Sequence, residues 1–454
     1  MNIVVDVNKI WESSGESAIR AELDNLPPAE LLRGVDACPY CGRAHHADIH
    51  SVDTGANALE TLPARLRELH VSSAFVIADE TTKKFLPQVL PYIEAADVSV
   101  ITHIVADAEP VPEERAIGGI IMDWQPCDMI IGVGSGVVND LSRLSSFRLG
   151  VPFGIVATAP SMDGFASVVA PMIRASLKKT YPAHTPAIII GDKRLLDTAP
   201  PVLTAAGIAD VLGKLNSLVD WKIASIVTGE LYCPWVASVM RLALERVILL
   251  VEAGGDISVP LMDALVIAGL AMAFHDDSRP AAGVEHHIAH AWEMMFLEEG
   301  RKLVPHGVKV GIGTVFAMKL AKRLAEWTPG EANLFDKETW LVEMKRVYGR
   351  ASDSIIALED AQQKNARANA HARRESAIAH WDEIIALLSA LPSAEDVVQL
   401  IKESGGAAFP EEIGVSEQNV RDALLYAKEM RGRYTIQQLA WDVGLLPDAM
   451  GVLL

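Results

Sequence analysis

The segment CDMIIGVGSGVVNDLSR, residues 127–143, decides the fold of this chain. It has the pattern of a buried strand, followed by a glycine-rich turn and the start of a helix. Glycines remove side chains where backbone approaches a pyrophosphate, and the N-terminus of the following helix offers unpaired N–H groups. The full GxGxxG pattern is not present, because Val138 and Asn139 follow where the last glycine would fall. Tight packing of strand against helix is therefore an alternative reason for the glycines.

The same alternation of strand and helix continues on both sides of this segment. Short apolar runs ending in Gly, Asp or Pro are VSSAFVIAD (71–79), SVITHIV (99–105), PFGIVATAP (152–160) and PAIIIGD (186–192). They predict a parallel sheet covered by helices, with ligands at the carboxyl ends of the strands. From about residue 195 the apolar spacing becomes helical. We therefore predict an α/β domain over residues 1–195 and an all-helical bundle over residues 196–454.

Composition narrows the class of protein. The chain has 454 residues, half of them hydrophobic, and a formal net charge of −19. That charge argues against a nucleic-acid partner, whose phosphates require a basic surface. The first 17 residues lack a signal-peptide pattern, and no stretch is expected to reach the roughly 18 apolar residues of a spanning helix. The sequence predicts a cytoplasmic protein without a membrane span, and its large apolar helical half favours a homodimer.

Four cysteines suggest thiols rather than a disulfide framework in such a chain. Cys38 and Cys41 stand in a CxxC spacing with His45 and His46 nearby, which is half of a zinc-site pattern. A second CxxC is missing from the sequence. The interpretation favoured from sequence is therefore a loop turn carrying two thiols.

Polar residues follow two of the predicted strands. Asp79 ends one strand, where a carboxylate can bind the ribose hydroxyls of an adenosine and repel a 2′-phosphate, which favours NAD over NADP. Its alternative role is a cap for the segment that follows. After another strand, Thr158, Ser161 and Ser167 supply hydroxyls beside small residues. Asp163 lies in an Asp-Gly pair, which is also a common turn former.

A carboxylate and two histidines lie in stretches rich in small residues: Asp210, His286 and His306. Two imidazoles and one carboxylate suit Zn²⁺, Fe²⁺ or Ni²⁺ with a coordination position left open, which indicates Lewis-acid catalysis. His290 shares a helical face with His286, and His287 lies one residue round. Taken singly, each residue has a structural alternative, and Asp210 in particular has the pattern of a helix N-cap.

At these residues the chain resembles the iron-containing alcohol dehydrogenase superfamily, and within it the sn-glycerol-1-phosphate dehydrogenase family. The matching segments keep their order: GVGSGVVND, TAPSMDGFAS, GIADVLGKLNSLVDW, SRPAAGVEHHIAHAW, PHGVKVG and RGRYTIQQLAWDVGLL. The resemblance implies a dehydroquinate synthase-like fold, in which a Rossmann-like NAD-binding domain precedes an all-helical metal- and substrate-binding domain. Dehydroquinate synthases carry Glu where Asp210 stands, which favours the dehydrogenase branch.

The resemblance also implies roles for individual residues. Metal ligands are expected at Asp210, His286 and His306, and substrate contacts at Asp163 and His290. Cofactor contacts are expected at Gly134, Ser135, Gly136, Val137, Val138, Asn139, Thr158, Ala159, Pro160, Ser161 and Ser167. His287 is expected to take no part.

The expected reaction is reversible reduction of dihydroxyacetone phosphate, a small phosphorylated triose, to sn-glycerol 1-phosphate. It would use NAD or NADP, with NAD favoured, and one divalent metal: zinc, nickel or iron. Lys214, Arg279 and Lys309 are candidates for binding the phosphate. The alternatives are an NAD-dependent dehydrogenase of glycerol or another small polyol, a dehydroquinate synthase-like cyclase, and a nucleotide-binding protein without catalytic activity.

Overall fold

A six-stranded parallel sheet forms the centre of the first half of the chain. In the computed structural model, the described residues are 5–6, 16–23, 26–106, 111–174, 177–331, 333 and 335–453. The strands are β1 (Ser51–Gly55), β2 (Ser73–Asp79), β3 (Ser99–Val105), β4 (Met129–Gly134), β5 (Phe153–Ala157), β6 (Val169–Arg174), β7 (Leu177–Pro182) and β8 (Ile188–Asp192). The parallel sheet has the order β1-β8-β5-β4-β2-β3, and β6 pairs with β7 as an antiparallel hairpin.

Helices cover the sheet and make up most of the second half. The helices are α1 (Ser17–Leu23), α2 (Pro28–Leu31), α3 (Leu62–Glu68), α4 (Leu86–Glu94), α5 (Glu114–Asp123), α6 (Gly136–Leu149), α7 (Lys193–Leu196), α8 (Pro201–Leu212), α9 (Lys214–Thr228), α10 (Pro234–Ala253), α11 (Ser258–His275), α12 (Val284–Glu298), α13 (His306–Ala325), α14 (Lys337–Tyr348), α15 (Ser352–Gln362), α16 (Arg367–Ala379), α17 (Trp381–Ser389), α18 (Ala394–Glu403), α19 (Glu417–Tyr426), α20 (Ile436–Asp442) and α21 (Met450–Leu453). The predicted architecture, an α/β first half followed by a helical second half, is confirmed.

Alternate residues along the strands face opposite sides of the sheet and form two cores. Val76 of β2 belongs to one core, together with residues of α3 and α4. Phe75, its neighbour in β2, belongs to the other core, together with Leu141 and Leu144 of α6. Because both faces of β2, β4, β5 and β8 are covered, these strands are apolar along almost their whole length, which is why they are easily recognised in the sequence.

The strand order reverses between β2 and β4. From β2 the chain moves outward to β3 and then returns to place β4 on the other side of β2, before continuing to β5. Helices on opposite faces of the sheet therefore begin at adjacent strand ends, which leaves a crevice where open α/β sheets bind ligands. Asp79 ends β2 and Gly134 ends β4, so two predicted cofactor positions lie at this switch point.

The chain divides into two compact units. The sheet unit comprises Leu23–Val211 and Ala253–Ser278, and the helical unit comprises Met1–Glu22, Leu212–Glu252 and Arg279–Leu454. The sheet unit therefore extends beyond the boundary at residue 195 that the sequence suggests and also takes in α11. The division at residue 195 remains a prediction about domains.

Three helical segments are long and apolar enough to cross a membrane, judged by length and composition: Pro201–Thr228, Ser258–His275 and Trp381–Glu403. The prediction that no stretch reaches this length is therefore wrong. Within the protein, 78% of the apolar window is buried in each of the first two segments and 33% in the third. A helix of the protein core is also hydrophobic all round, which accounts for the composition of the first two. Most of residues 1–17, where no signal peptide is predicted, lie outside the described residues.

Candidate active site

The glycine-rich turn joins β4 to α6 as predicted. Ser135 is the residue before the helix, and its carbonyl accepts a hydrogen bond from the Asn139 N–H at 2.9 Å. A Cβ atom on Gly134 would lie 2.5 Å from the Cβ of Val138, so only glycine fits against the first turn of the helix. The packing role that the sequence left open is therefore present. The first N–H groups of α6 have no partners within the helix, as at any helix start, and this holds whether or not the glycines serve packing.

Asp79 caps the turn that follows β2. Its Oδ1 accepts hydrogen bonds from the N–H of Thr81 at 2.9 Å and from the N–H and hydroxyl of Thr82 at 2.6 and 2.9 Å. Asp79 therefore has the capping role that the sequence analysis gave as its alternative. A ribose contact from the same carboxylate would use the other oxygen, Oδ2, and remains a prediction.

The hydroxyl-bearing loop 158–167 packs closely beside the glycine-rich turn. The Thr158 N–H donates to the Gly134 carbonyl at 3.0 Å, and Thr158, Ser161 and Ser167 are all buried. A Cβ on Gly207 of α8 would lie 2.1 Å from the carbonyl oxygen of Pro160. Helix α8 can approach this loop only because position 207 has no side chain.

A buried arginine organises the same loop from α6. Arg143 is fully buried, and its guanidinium donates to the carbonyls of Gly164, Phe165 and Val169 at 2.6, 2.8 and 3.2 Å. Burial lowers the pKa of Arg143 to about 10, against the attraction of Asp140, so the side chain stays charged at neutral pH. Burial raises the pKa of Asp140, although Arg143 opposes the shift. The loop that carries the predicted substrate and cofactor residues is therefore held by one helix side chain.

Two predicted acidic residues meet within the sheet unit. Asp210 is fully buried, and its Oδ2 accepts a hydrogen bond from the backbone N–H of Asp163 at 3.1 Å. The N-cap interpretation of Asp210 is wrong, because the residue lies in the last turn of α8 rather than before a helix. The C-terminal end of a helix dipole is negative and does not stabilise a carboxylate. Capping therefore does not explain the charge of Asp210.

Three predicted histidines lie together within the helical unit. The ring centroid of His306 is 5.2 Å from that of His286 and 5.3 Å from that of His290. One ring nitrogen of His286 and one of His306 lie within 4.8 Å of each other. The two helices approach closely because a Cβ on Gly313 of α13 would lie 2.5 Å from the Glu285 carbonyl oxygen of α12. His306 begins α13, and Pro305 before it is outside the helix, with φ −49° and ψ 140°.

The carboxylate of Glu285 fixes the ring of His286. Nδ1 of His286 donates to Oε1 of Glu285 at 2.8 Å, so Nε2 is the nitrogen that carries the available lone pair. Oε1 of Glu285 also accepts from the Gly283 N–H at 2.6 Å, and Oε2 accepts from the amide of Asn216 at 2.5 Å. Burial is the largest single influence and acts to raise the pKa of Glu285, but the interactions with His286, Gly283 and Asn216 together outweigh it and lower the pKa. This arrangement is typical of histidines that bind metal.

The sequence reasoning missed Glu285, Asn216 and Asp220. Asp220 accepts from the same amide of Asn216 at 2.8 Å and from the N–H groups of Val284 and Ile436 at 2.7 and 2.5 Å. Burial and then the charge of Glu285 raise the pKa of Asp220 to about 7. The acidic residue next to His286 was the one signal available in the sequence.

The side chain of His287 lies in a different environment from that of His286. It is buried, and neither ring nitrogen has a hydrogen-bond partner among the described residues. Burial, followed by the positive charge of Arg431 and Arg433, lowers its pKa well below the usual value. The ring is therefore neutral at pH 7.

The three candidate phosphate-binding cations already have protein partners. Lys309 pairs with Glu293 at 2.9 Å, and Lys214 donates to the Ala281 carbonyl at 3.0 Å. Arg279 pairs with Glu230 and donates to two backbone carbonyls. All three side chains are buried. A phosphate would have to compete with these partners, so their assignment to phosphate remains a prediction with little geometric support.

Replacing Glu285 with Gln is expected to weaken binding of a divalent metal by about 10–100-fold, because the amide no longer holds His286 in one orientation. Titration of metal-free protein with Zn²⁺ or Ni²⁺ against a competing chelator measures this affinity. The matched control is Glu298→Gln, at the exposed end of the same helix. Equal affinities for Glu285→Gln and the unaltered protein would refute the orienting role.

Comparison with known proteins shows the family to which the chain belongs. A family described as iron-containing alcohol dehydrogenase matches residues 53–200. A Bacillus licheniformis protein named as an NAD(P)+-dependent glycerol-1-phosphate dehydrogenase is 32% identical over 434 residues, covering 93% of this chain and 96% of its own. A Bacillus subtilis (strain 168) protein of the same name is 32% identical over 447 residues, covering 95% of each chain.

Solved structures show the same fold at lower identity. An iron-containing alcohol dehydrogenase from Thermococcus thioreducens aligns with a TM-score of 0.56 and 14% identity, over 86% of this chain and 98% of its own. That identity supports the fold alone, whereas the two Bacillus relatives share more than 30% identity over nearly their whole length. The chain therefore belongs to the glycerol-1-phosphate dehydrogenase family of iron-containing alcohol dehydrogenases, and it is a metal-dependent, NAD(P)-linked oxidoreductase.

Proposed function

We propose that this chain reduces dihydroxyacetone phosphate to sn-glycerol 1-phosphate, reversibly, with a nicotinamide nucleotide as the hydride donor. The observation that carries the proposal is the close pair of His286 and His306, with His286 held by a buried carboxylate. Apolar side chains would pack better than this histidine pair, so packing does not explain why the two histidines are there. The two Bacillus relatives named as glycerol-1-phosphate dehydrogenases align with 93% and 95% of the chain.

The metal ligands we propose are Asp210, His286 and His306, each offering one ligand atom. Two neutral imidazoles and one carboxylate suit Zn²⁺, Ni²⁺ or Fe²⁺ and leave coordination positions for substrate. Asp210 supports the assignment because it is a fully buried carboxylate, and such groups are paired or bind metal. The chain passes from the sheet unit into the helical unit directly after Val211. When bound, the metal would act as a Lewis acid on the ketone oxygen, and the nicotinamide would supply the hydride.

His290 and Asp163 are the side chains we propose to act on the substrate. His290 lies one helical turn from His286 on α12, and its ring faces that of His306 at 5.3 Å. From there it would orient the ketone and deliver the proton that the product hydroxyl requires. Asp163 would accept a hydrogen bond from a substrate hydroxyl. Its backbone is fixed by the hydrogen bond to Asp210, so both acidic residues would be positioned together.

The cofactor site we propose is the crevice between the ends of β2 and β4. The pyrophosphate would bind at the turn Gly134–Asn139, where α6 begins, and Asp79 would bind the ribose. The buried loop 158–161 and Ser167 would contact the nicotinamide end of the cofactor. A carboxylate at position 79 would repel the 2′-phosphate of NADP, so we expect NAD to be preferred.

We further propose that the protein is a cytoplasmic homodimer with no nucleic-acid partner and no membrane span. The net charge of −19 supports the absence of a nucleic-acid partner, and the burial of the two apolar segments within residues 201–275 supports the absence of a membrane span. Sedimentation of the purified protein in the absence of detergent measures the oligomeric state. A monomer would refute the dimer, and a requirement for detergent would refute the absence of a membrane span.

Activity with paired substrates tests the proposed reaction. We expect protein loaded with one metal at a time to oxidise NADH with dihydroxyacetone phosphate far faster than with dihydroxyacetone, and the product to be the sn-1 enantiomer. NADH oxidation faster with the unphosphorylated ketone would instead support a polyol dehydrogenase. Turnover of a sugar phosphate without net change in NADH would support a cyclase. Nucleotide binding with no turnover for any divalent metal would leave a binding protein.

A further inference from the structure

A second group of metal-binding side chains lies in the sheet unit, ahead of β1. Three side chains each offer one ligand atom, and these atoms lie within 4.8 Å of one another: Cys38, Cys41 and His45. Cys38 and His45 are each 2% exposed, so these polar side chains do not face solvent. None of these residues belongs to the proposed active site.

The backbone around Cys38 forms a tight turn that directs both thiols to the same side. The Gly42 N–H donates to the Cys38 carbonyl at 2.8 Å, and the Cys38 N–H donates to the Arg43 carbonyl at 2.9 Å. Gly42 has φ +72°, a conformation that side chains other than glycine seldom adopt. Two residues between cysteines, followed by such a glycine, is the spacing used by structural zinc sites.

His45 is fixed in position by backbone on two sides. It pairs with Val35 in an antiparallel bridge, and a Cβ on Gly34 would lie 2.0 Å from the His45 carbonyl oxygen. Its ring Nδ1 lies 2.8 Å from the Phe274 carbonyl of α11, to which it donates. Nε2 therefore carries the lone pair, and it lies 3.2 Å from Sγ of Cys41.

We propose that Cys38, Cys41 and His45 bind a structural zinc ion that is separate from the catalytic metal. Two thiolates and an imidazole select zinc over the harder cations that carboxylates prefer. The hydrogen bond from Nδ1 to a carbonyl is the support that metal-binding histidines usually have. From sequence alone a simple turn was preferred, because a second CxxC is missing; the proposal takes the alternative, a zinc site.

Structural zinc takes four ligands, and these three side chains supply three of them. Cys127 is the matched control among the cysteines, because its thiol donates to the Met129 carbonyl at 3.2 Å and is only partly buried.

Metal counting and X-ray absorption on the full chain test the proposal. Protein saturated with Zn²⁺ and freed of excess metal is expected to hold two zinc ions per chain. We expect one ion after Cys38→Ser, and two after Cys127→Ser. The zinc absorption spectrum of the unaltered protein should contain sulfur scatterers at about 2.3 Å.

The spectrum of the unaltered protein keeps the proposal testable if a cysteine variant fails to fold. A zinc shell made only of nitrogen and oxygen would overturn the thiolate site. An unchanged count in Cys38→Ser would do the same. Failure of the proposed active-site metal would appear differently, as a single zinc ion with sulfur ligands.

Discussion

Replacing His306 with Ala is expected to lower kcat/KM for ketone reduction by about 1,000-fold. The loss follows because a Lewis acid at the ketone oxygen contributes several kcal/mol to the transition state, and about 1.4 kcal/mol corresponds to a factor of ten. His306 is the most informative of the proposed ligands. It is only half-buried at the start of α13, so its replacement disturbs packing least. Steady-state kinetics at saturating metal, together with metal analysis of the purified variant, measure the effect.

The matched control is His371→Ala in the same half of the chain. His371 is 64% exposed and contacts Glu375 at 3.2 Å, so its loss is expected to leave activity and metal content unchanged. The His306 variant should still bind NADH, because the cofactor turn lies in the sheet unit. Activity within tenfold of the unaltered protein, with the variant fully folded, would rule out His306 as a ligand.

Replacing Arg143 with Ala is expected to lower the free energy of unfolding by about 3–5 kcal/mol, the range seen when one partner of a buried charged network is removed. The change leaves the carbonyls of Gly164, Phe165 and Val169 without their donor and Asp140 without its cation. The loop 158–167 would lose its anchor, so NADH affinity should fall with stability. Denaturant unfolding and fluorescence titration with NADH measure the two effects.

Arg148→Ala is the control for Arg143, because it lies on the same helix but is exposed against the ring of Phe147. Its loss should change stability by no more than about 0.5 kcal/mol, as for most surface positions. Equal stability of the two variants would show that the buried guanidinium does not hold the loop.

The parts of the fold that could be predicted are those with a local sequence signal. The strands β2, β4, β5 and β8 were predicted because burial on both faces makes them almost continuously apolar. The edge strand β3 was predicted as well, from its β-branched run SVITHIV, although it is partly exposed. The edge strand β1, with sequence SVDTG, is short and partly polar, so it gave no such signal. The hairpin of β6 and β7 was missed as well, since its sequences VAPMIR and LKKTYP are interrupted by proline and by charge.

Within the candidate site, residue types could be predicted but most supporting contacts could not. The histidine pair and the glycine-rich turn follow from local pattern and family resemblance. The roles of Arg143 and Asn216 could not be predicted, because their partners lie more than 20 and 60 residues away in the chain. Asp210 looked like an N-cap because an aspartate before an apolar run suggests one, whereas the helix actually begins at Pro201.

Anomalous diffraction from crystals loaded with Ni²⁺ or Zn²⁺ tests the central claim most directly. The account predicts a peak coordinated by a carboxylate oxygen of Asp210 and by a ring nitrogen of each of His286 and His306, with Nε2 as the His286 ligand. Crystals whose anomalous signal lies only at Cys38 and Cys41, or at surface residues, would contradict it.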